Sequence, residues 1–274
     1  MPAASPAAGA SECCFFPPGL IIYCAYGTCM TSSNQQSLCH RHIRLLRPAL
    51  ARTAPVALLL WCLSAPAPCQ AQQSRVSSAF KIARLKYSGG GDWYNDPSAE
   101  VNLLTFIRQN TGLDVDPHYE FVDINSENFY AYPFLFMTGH GNIAFSENEI
   151  HRLRVYLENG GFLYADDDYG MDKAFRREMK KIFPGQELVE LPFDHPLYHW
   201  QFDFPNGPPK THEHNGKPPQ GFGLFYHGRL VVYYTYETNP SDGWADPEVH
   251  NDPEPKRQEA LRFGTNIVTY ALTH

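Results

Sequence analysis

Acidic and imidazole side chains follow two apolar segments that have the composition of buried strands. His140 comes shortly after the first segment, and Asp166, Asp167 and Asp168 come directly after the second. In open α/β sheets the carboxyl ends of the strands meet at one edge, where ligands bind, so these four residues are candidates for one cleft. A carboxylate beside an imidazole suits general acid–base catalysis or the binding of a divalent metal. Successive side chains at a strand end diverge, so all three aspartates cannot face the same site.

His195 is the fifth candidate for this cleft, and it lies in a long loop, residues 192–221, that is rich in proline, glycine and histidine. A loop of this length can fold back over the sheet edge, as ligand-binding loops on rigid scaffolds commonly do. We therefore predict that His140, Asp167 and His195 approach one cleft. The alternative is that Asp167 caps the helix that follows it and that His195 only braces its own turn before Pro196.

A histidine pair and a glycine-rich loop are weaker candidates for ligand contacts. His212 and His214 form an H-x-H pattern, but zinc needs three or four convergent ligands, and a solvated loop is the plainer explanation. The sequence requires no cofactor, although a divalent metal is compatible with it. The predicted loop contacts to a ligand are Gly89, Gly90, Trp93, Tyr94, Gly139 and Gly141. Tight turns are the alternative for the glycines, because the lysine and hydroxyl residue of a P-loop are missing.

The segments that must position these residues alternate between strand and helix patterns. Strands are predicted near 80–87, 118–124, 132–138 and 161–166, and helices near 97–111, 146–159 and 171–183. Asp96 and Pro97 predict the start of the first helix, and Ser146 with Glu149 predicts a capping box on the second. A hairpin around His227-Gly228-Arg229 and a final helix follow. The alternation predicts an α/β fold with an open, mostly parallel sheet covered on both faces.

Residues 80–272 resemble a bacterial family called domain of unknown function 4159. The landmarks occur in order along the chain: Tyr132-Pro133-Phe134, Thr138-Gly139-His140-Gly141, Gly160-Gly161-Phe162-Leu163, Asp166-Asp167, Asp194-His195-Pro196 and Gly228-Arg229-Leu230. The family is similar to class I glutamine-amidotransferase-like proteins, among them ThuA-like proteins, whose fold is flavodoxin-like. The resemblance implies a flavodoxin-like three-layer sandwich over residues 80–274, ending in a C-terminal hairpin and helix. Many relatives are tied to the cell envelope, so it also implies an envelope role.

The resemblance also indicates what the chain does not do. In true amidotransferases, the strand equivalent to residues 161–165 leads into a turn that carries a cysteine nucleophile. Here the turn carries Asp166, Asp167 and Asp168, without a thiol or hydroxyl group. Glutamine amidotransferase activity is therefore not expected, and similarity of fold does not by itself transfer a function.

The N-terminal residues have the pattern of an export signal. A basic stretch over residues 41–52, an apolar run over 54–63 and small residues before a cut after Ala71 predict a signal peptide within residues 1–71. Residues 72–79 then form a linker, and the chain is exported to the periplasm or secreted. An uncleaved membrane anchor is the alternative, although the run is shorter than the roughly 18 residues that a span needs. Met30 is an alternative start codon to Met1, which would make residues 1–29 an upstream extension.

Composition and charge narrow the function to two classes. The chain has 274 residues, 43% of them hydrophobic, which is enough for a packed core. Its formal net charge is −7, and removal of residues 1–71, with four arginines and one glutamate, makes this −10, which argues against nucleic acid as a partner. We favour an envelope binding or assembly module whose partner is an envelope protein, a carbohydrate or a peptide. The alternative is a hydrolase that uses carboxylates and histidines, with or without a metal, on glycan or peptide material.

The positions of the cysteines lead to a first prediction. All seven cysteines lie at or before Cys69, so a mature chain that begins at Gln72 contains none. Reducing agent should therefore leave the Tm of the exported protein unchanged, because no disulfide can form after cleavage. The measurement is a thermal melt with and without dithiothreitol on protein whose N-terminus has been sequenced. An N-terminus before Gln70, or a clear loss of stability on reduction, would contradict the predicted cut.

Overall fold

The structure is a computed structural model that describes residues 79–212 and 214–274. The predicted signal peptide, residues 72–78 of the linker and the choice between Met1 and Met30 lie outside the described residues. Within the described part of the chain, no helix is both long and apolar enough to span a membrane.

A seven-stranded sheet forms the centre of the domain. Its strands in chain order are β1 (Ala83–Lys86), β2 (Glu120–Asp123), β3 (Phe134–His140), β4 (Phe162–Tyr169), β5 (Val189–Glu190), β6 (Gln220–Tyr226) and β7 (Arg229–Tyr236). Their order across the sheet is β2-β1-β3-β4-β7-β6-β5. The first five in this order are parallel, whereas the β7–β6 and β6–β5 pairs are antiparallel. The parallel part has the strand order of flavodoxin-like sheets, which confirms the predicted fold class.

Helices cover both faces of this sheet. They are α1 (Ala99–Asn110), α2 (Glu147–Glu158), α3 (Asp172–Ile182), the short α4 (Pro247–His250) and α5 (Glu254–Ala271). Ser146 and Glu149 form the predicted capping box at the start of α2. The predicted hairpin is β6–β7, and its turn residues His227 and Gly228 both have positive φ, as a two-residue hairpin turn of the favoured type requires.

Apolar side chains of the strands alternate between two cores. On β4, Leu163 and Ala165 pack on the face that α2 and α3 cover. Phe162 and Tyr164 pack on the opposite face, against the core that includes Phe263 of α5. This two-residue period is the ordinary geometry of a strand buried on both sides. It decides the direction of every later side chain on the same strand.

β4 continues further than the sequence pattern predicts. The predicted strand ends at residue 166, but β4 runs through Asp166, Asp167 and Asp168 to Tyr169. The two-residue period places Asp166 and Asp168 on the α1/α5 side of the sheet and Asp167 on the α2/α3 side. The run of apolar residues in the sequence could not show this extension. Polar residues continue a strand when neighbouring segments form hydrogen bonds with their side chains.

The start of α1 also differs from the prediction. The N-cap residue is Ser98, whose side chain forms no capping bond, and Asp96 lies outside the helix with a φ of 44°. The Asp96 side chain instead contacts the ring of His250, at 3.0 Å. Asp96 therefore belongs to the polar residues at the sheet edge and not to the helix.

A buried ion pair holds the β1–α1 segment in place. The Arg84 and Glu100 side chains are both fully buried, and Arg84 Nη2 lies 2.5 Å from Glu100 Oε2. Arg84 also donates to the backbone carbonyls of Asn95 and Asp96. One arginine on β1 thus fixes both α1 and the loop that precedes it.

This ion pair gives a prediction about stability. Glu100→Leu should lower the free energy of unfolding by about 3–5 kcal/mol, because it leaves the buried guanidinium of Arg84 without its counter-ion. Combining it with Arg84→Met should recover part of the loss, because the double variant has no unpaired buried charge. Urea unfolding followed by circular dichroism measures both.

Glu254→Leu is the control for this prediction. Glu254 is 61% exposed and pairs with Arg257 on α5, so its loss should cost less than about 1 kcal/mol. Equal losses for Glu100→Leu and Glu254→Leu would contradict the assigned role of the buried pair.

Candidate functional site

A polar cavity of about 570 Å³ lies at the carboxyl edge of the parallel strands. Residues from the ends of β3 and β4, and from the loops after β1 and β7, contribute to its wall. The lining residues are Asn95, Asp96, His140, Asp168, Tyr169, His212, His214, Asn239, Asp242 and His250. The position agrees with the general rule for open α/β sheets, and the chemistry of the wall is almost wholly carboxylate, amide and imidazole.

Two overlapping groups in this wall have metal-ligand character. One ligand atom each from His212, Asp242 and His250 lies within 4.8 Å of the others, and the same holds for Asp96, Asp168 and Asp242. Asp242 belongs to both groups. We call the first group the histidine site and the second the carboxylate site.

Asp166 holds the loop that carries Asp242 without reaching the cavity itself. It is fully buried, and its Oδ2 accepts hydrogen bonds from the backbone nitrogen and hydroxyl of Ser241, at 2.9 and 2.6 Å. Its Oδ1 accepts from Thr235 Oγ1 at 2.5 Å. Burial raises the pKa of Asp166 to about 7 against the opposing effect of these bonds. Asp166 is therefore a positioning residue between β4 and the loop after β7.

Asp168 is the aspartate of β4 that lines the cavity. Its carboxylate accepts hydrogen bonds from Asn95 Nδ2 at 2.5 Å and from Asn239 Nδ2 at 2.7 Å, and it lies 3.2 Å from His140 Nδ1. Burial, followed by the negative charge of Asp242, raises the pKa of Asp168 to about 7. A carboxyl that titrates near neutrality and faces a cavity is typical of functional sites.

The imidazoles of the histidine site are held by carboxylates. His212 Nδ1 lies 2.6 Å from Asp242 Oδ2, and its Nε2 lies 3.0 Å from Asp252 Oδ2. His250 Nε2 lies 3.0 Å from Asp96 Oδ1. The bond to Asp96 raises the pKa of His250 to about 9, although burial opposes it. The hydrogen bond to Asp242 likewise raises the pKa of His212.

His140 is the most exposed of the four imidazoles that line the cavity, with half of its side chain accessible. Its Nδ1 lies 3.0 Å from Asp92 Oδ2 and 3.2 Å from Asp168 Oδ2. Burial lowers its pKa, but Asp168 and the hydrogen bond to Asp92 outweigh that effect and raise it. Nε2 of His140 forms no hydrogen bond within the described part of the chain, so it is free to exchange a proton with a ligand.

Of the five residues predicted for the cleft, only His140 and Asp168 line this cavity; Asp167 and His195, like Asp166, do not reach it. Asp167 Oδ1 accepts from the backbone nitrogen of Met171, just before α3, and its carboxylate contacts Tyr234 on the other face of the sheet. His195 accepts from the backbone nitrogen of Leu197 in its own turn and packs beside Phe225 and Tyr270. His195 therefore braces its own turn, as the alternative for it stated, whereas Asp167 bonds the N-cap residue of α3 without forming a side-chain cap on the helix. Asp167 points away from the cavity because successive side chains of β4 alternate between the two faces of the sheet. His195 lies at the end of β6 that faces away from the cavity.

Two of the four glycines predicted to contact a ligand, Gly89 and Gly139, serve loop packing. A Cβ at Gly89 would lie 2.6 Å from the backbone nitrogen of Ala144, and one at Gly139 would meet the Tyr87 hydroxyl. Both have positive φ, so they permit the loops after β1 and β3 to touch. None of the six predicted loop contacts lines the cavity. These residues are Gly89, Gly90, Trp93, Tyr94, Gly139 and Gly141. Trp93 packs edge-on against Tyr94 and Phe121 beside it.

The H-x-H pair divides between two roles. His212 belongs to the histidine site, whereas His214 hydrogen-bonds the Asn239 side chain and stacks on Tyr169 with ring centroids 5.2 Å apart. The pair is therefore at the site, but only one of its rings faces the other metal-ligating atoms.

Sequence reasoning missed Asp96, Asp242 and Asp252, and it did not single out His250. Asp96 was interpreted as a helix cap, and Asp242 follows β7 in what reads as a polar loop. One feature of the sequence could have indicated Asp96 and Asp242: each lies in a loop that follows a predicted strand. This feature indicates a shared site only when β7 is known to lie next to β4, and hydrophobic patterning does not show that.

The Asp166 anchor gives a prediction. Ser241→Ala and Thr235→Val should each lower the free energy of unfolding by about 1–3 kcal/mol, because each removes a hydrogen bond to a buried carboxyl group. Thr273→Val, at the exposed end of the chain, is the control and should change little. Urea denaturation measures the three variants, and an anchor variant no less stable than the control would rule out this positioning role.

Comparison with known proteins identifies the family. No curated protein matches the chain. A protein-family model described as a domain of unknown function, DUF4159, matches residues 81–272, which include every lining residue of the cavity. The match spans most of the chain, and the protein therefore belongs to the DUF4159 family.

Proposed function

We propose that this chain is an exported, divalent-metal-dependent hydrolase that acts on glycan or peptide material of the cell envelope. The observation that carries the proposal is the convergence of the His212, Asp242 and His250 ligand atoms within 4.8 Å in a polar cavity. Two imidazoles and one carboxylate leave coordination positions open, as catalytic zinc sites do. A surface that only binds a partner does not need metal-ligating side chains with open coordination positions.

The surroundings of His212 support a metal at this place. Its Nδ1 faces Asp242, and its Nε2 is held by Asp252, whose side chain is 6% exposed. Metal-binding histidines commonly donate their second ring nitrogen to a carboxylate, which fixes the ring and its tautomer. Asp252 is placed to do this for His212.

A divalent cation held by His212, Asp242 and His250 would lower the pKa of a water molecule towards neutrality, and this water would be the nucleophile of the proposed reaction. His140, which Asp92 and Asp168 orient through Nδ1, takes one water proton on Nε2. The oxygen forms a bond to the carbonyl or acetal carbon, the scissile C–N or C–O bond breaks, and the leaving atom takes the proton from His140. The proton that His140 takes from water is the one that it gives to the leaving atom, so the reaction needs no other reactant.

The other features of the proposal come from the sequence. Export rests on the signal-peptide pattern of residues 1–71, and the class of substrate rests on the envelope association that the resemblance implies. The relation to amidotransferase-like proteins is part of the same proposal. It is compatible with hydrolysis by water because the chain has no thiol after Cys69.

Metal removal and ligand variants test the function. Full chain dialysed against EDTA should lose activity and regain it with Zn²⁺ or Mn²⁺. His250→Ala and Asp242→Asn should lower turnover by at least about 100-fold, since even outer partners of a metal are worth about 10–100-fold. The measurement is the release of reducing sugar from peptidoglycan sacculi and of amine from peptides, with metal content determined alongside.

His118→Ala is the matched control. His118 is 84% exposed, pairs with Asp116 at 2.7 Å and lies outside the cavity, so its loss should change neither metal content nor turnover. Absence of bound metal after dialysis into Zn²⁺ or Mn²⁺ would overturn the proposal. Tight binding of sacculi by metal-loaded protein without turnover would favour the binding module. Oxidation that requires Fe²⁺ and dioxygen would replace hydrolysis by a different chemistry.

A further inference from the structure

We infer that the cavity holds two divalent cations and that Asp242 bridges them, with the second cation on the carboxylate site of Asp96, Asp168 and Asp242. This inference rests on the proposed function for the first cation, on the histidine site. The two ligand groups share Asp242, and each is compact enough for one ion. In two-metal hydrolytic sites the ions lie about 3.5–4 Å apart, a separation that one bridging carboxylate can span.

The first observation concerns the free oxygen of Asp242. Its Oδ2 is engaged by His212 and by Asn239 Nδ2, at 2.6 and 3.1 Å. Its Oδ1 is buried and forms no hydrogen bond to any described residue, although the side chain is only 2% exposed. His250 Nε2 lies 3.9 Å from Oδ1, beyond hydrogen-bond distance. A buried carboxylate oxygen without a donor is costly unless a cation occupies its free side.

The second observation concerns what the first cation does to Asp96. Asp96 Oδ1 is held by His250 Nε2 at 3.0 Å, and no other side chain in the described ranges bonds its carboxylate. A histidine that coordinates a metal through Nε2 has no proton on that nitrogen to donate. Occupation of the histidine site therefore removes the partner of Asp96. A cation on the carboxylate site replaces the lost positive charge.

The donor set decides the class of the second cation. Asp96, Asp168 and Asp242 offer carboxylate oxygens, and Asn95, which lines the same cavity, has a buried Oδ1 without a partner in the described part of the chain. Oxygen donors suit Mg²⁺ or Mn²⁺, whereas imidazoles favour Zn²⁺. The two sites should therefore prefer different metal ions, with Zn²⁺ on the histidine site and Mg²⁺ or Mn²⁺ on the carboxylate site.

A Mn²⁺ titration of the EDTA-treated full chain tests this, with free Mn²⁺ followed by electron paramagnetic resonance. Wild-type protein should bind two Mn²⁺ per chain and show an exchange-coupled signal at low temperature. Wild-type protein preloaded with one equivalent of Zn²⁺ should bind one Mn²⁺. Asp96→Asn should bind one Mn²⁺ in place of two and lose the coupled signal, while Asp116→Asn, an aspartate that pairs with a histidine outside the cavity, should still bind two.

The outcomes separate this inference from the proposed function. One Mn²⁺ per wild-type chain, with activity restored by one equivalent of metal, would overturn the second cation and leave the hydrolase intact. No bound metal in wild-type protein would overturn both. Two Mn²⁺ without magnetic coupling, or two retained in Asp96→Asn, would place the second ion elsewhere and overturn the bridge. A thermal melt of Asp96→Asn establishes that it is folded, and the wild-type stoichiometry stands independently of any variant.

Discussion

Repulsion among three carboxylates is the constraint on which the candidate site depends. Atoms of Asp96, Asp168 and Asp242 lie within 4.8 Å of one another, and the last two side chains are almost completely buried. Two like charges about 4 Å apart repel by about 4 kcal/mol at an effective dielectric constant of 20. Such a cluster persists only if protons, amide donors or cations compensate it. The imidazoles of His212 and His250, the amide of Asn239 and the proposed metal ions are that compensation.

Support for this cluster comes from residues that never enter the cavity. Arg84 fixes the loop that carries Asp96 through the backbone, and Asp166 fixes the loop that carries Asp242 through Ser241. Each support is a buried ionisable group with several hydrogen bonds. Each therefore depends on accurate geometry, and loss of one partner is destabilising because the buried group is left without it. The site is therefore coupled to the stability of the whole sheet edge.

The distribution of the candidate ligands shows how a common fold could acquire the proposed chemistry. The sheet has the flavodoxin-like strand order, and the cavity lies where such sheets bind their ligands. The candidate ligands come from five separate places: the loop after β1, the end of β4, the loop after β7, the long loop before β6, which carries His212, and the end of α4, which carries His250. A fold of this kind accepts new functions through its loops, and the chemistry must therefore be argued from the site.

The sequence by itself determined the fold class, the order of the strands and helices other than β5 and α4, the capping box of Ser146 and the edge of the sheet that carries the polar residues. These follow from local periodicity and turn chemistry, which a few neighbouring residues express. It also placed His140 and Asp168 among the candidates. Only the tertiary structure decided that Asp167 turns away, that His195 lies elsewhere, and that Asp96, Asp242 and His250 converge. The physical reason is that convergence depends on which strands are neighbours and on the exact length of β4, and both are set by long-range packing and by buried hydrogen bonds that no local pattern records.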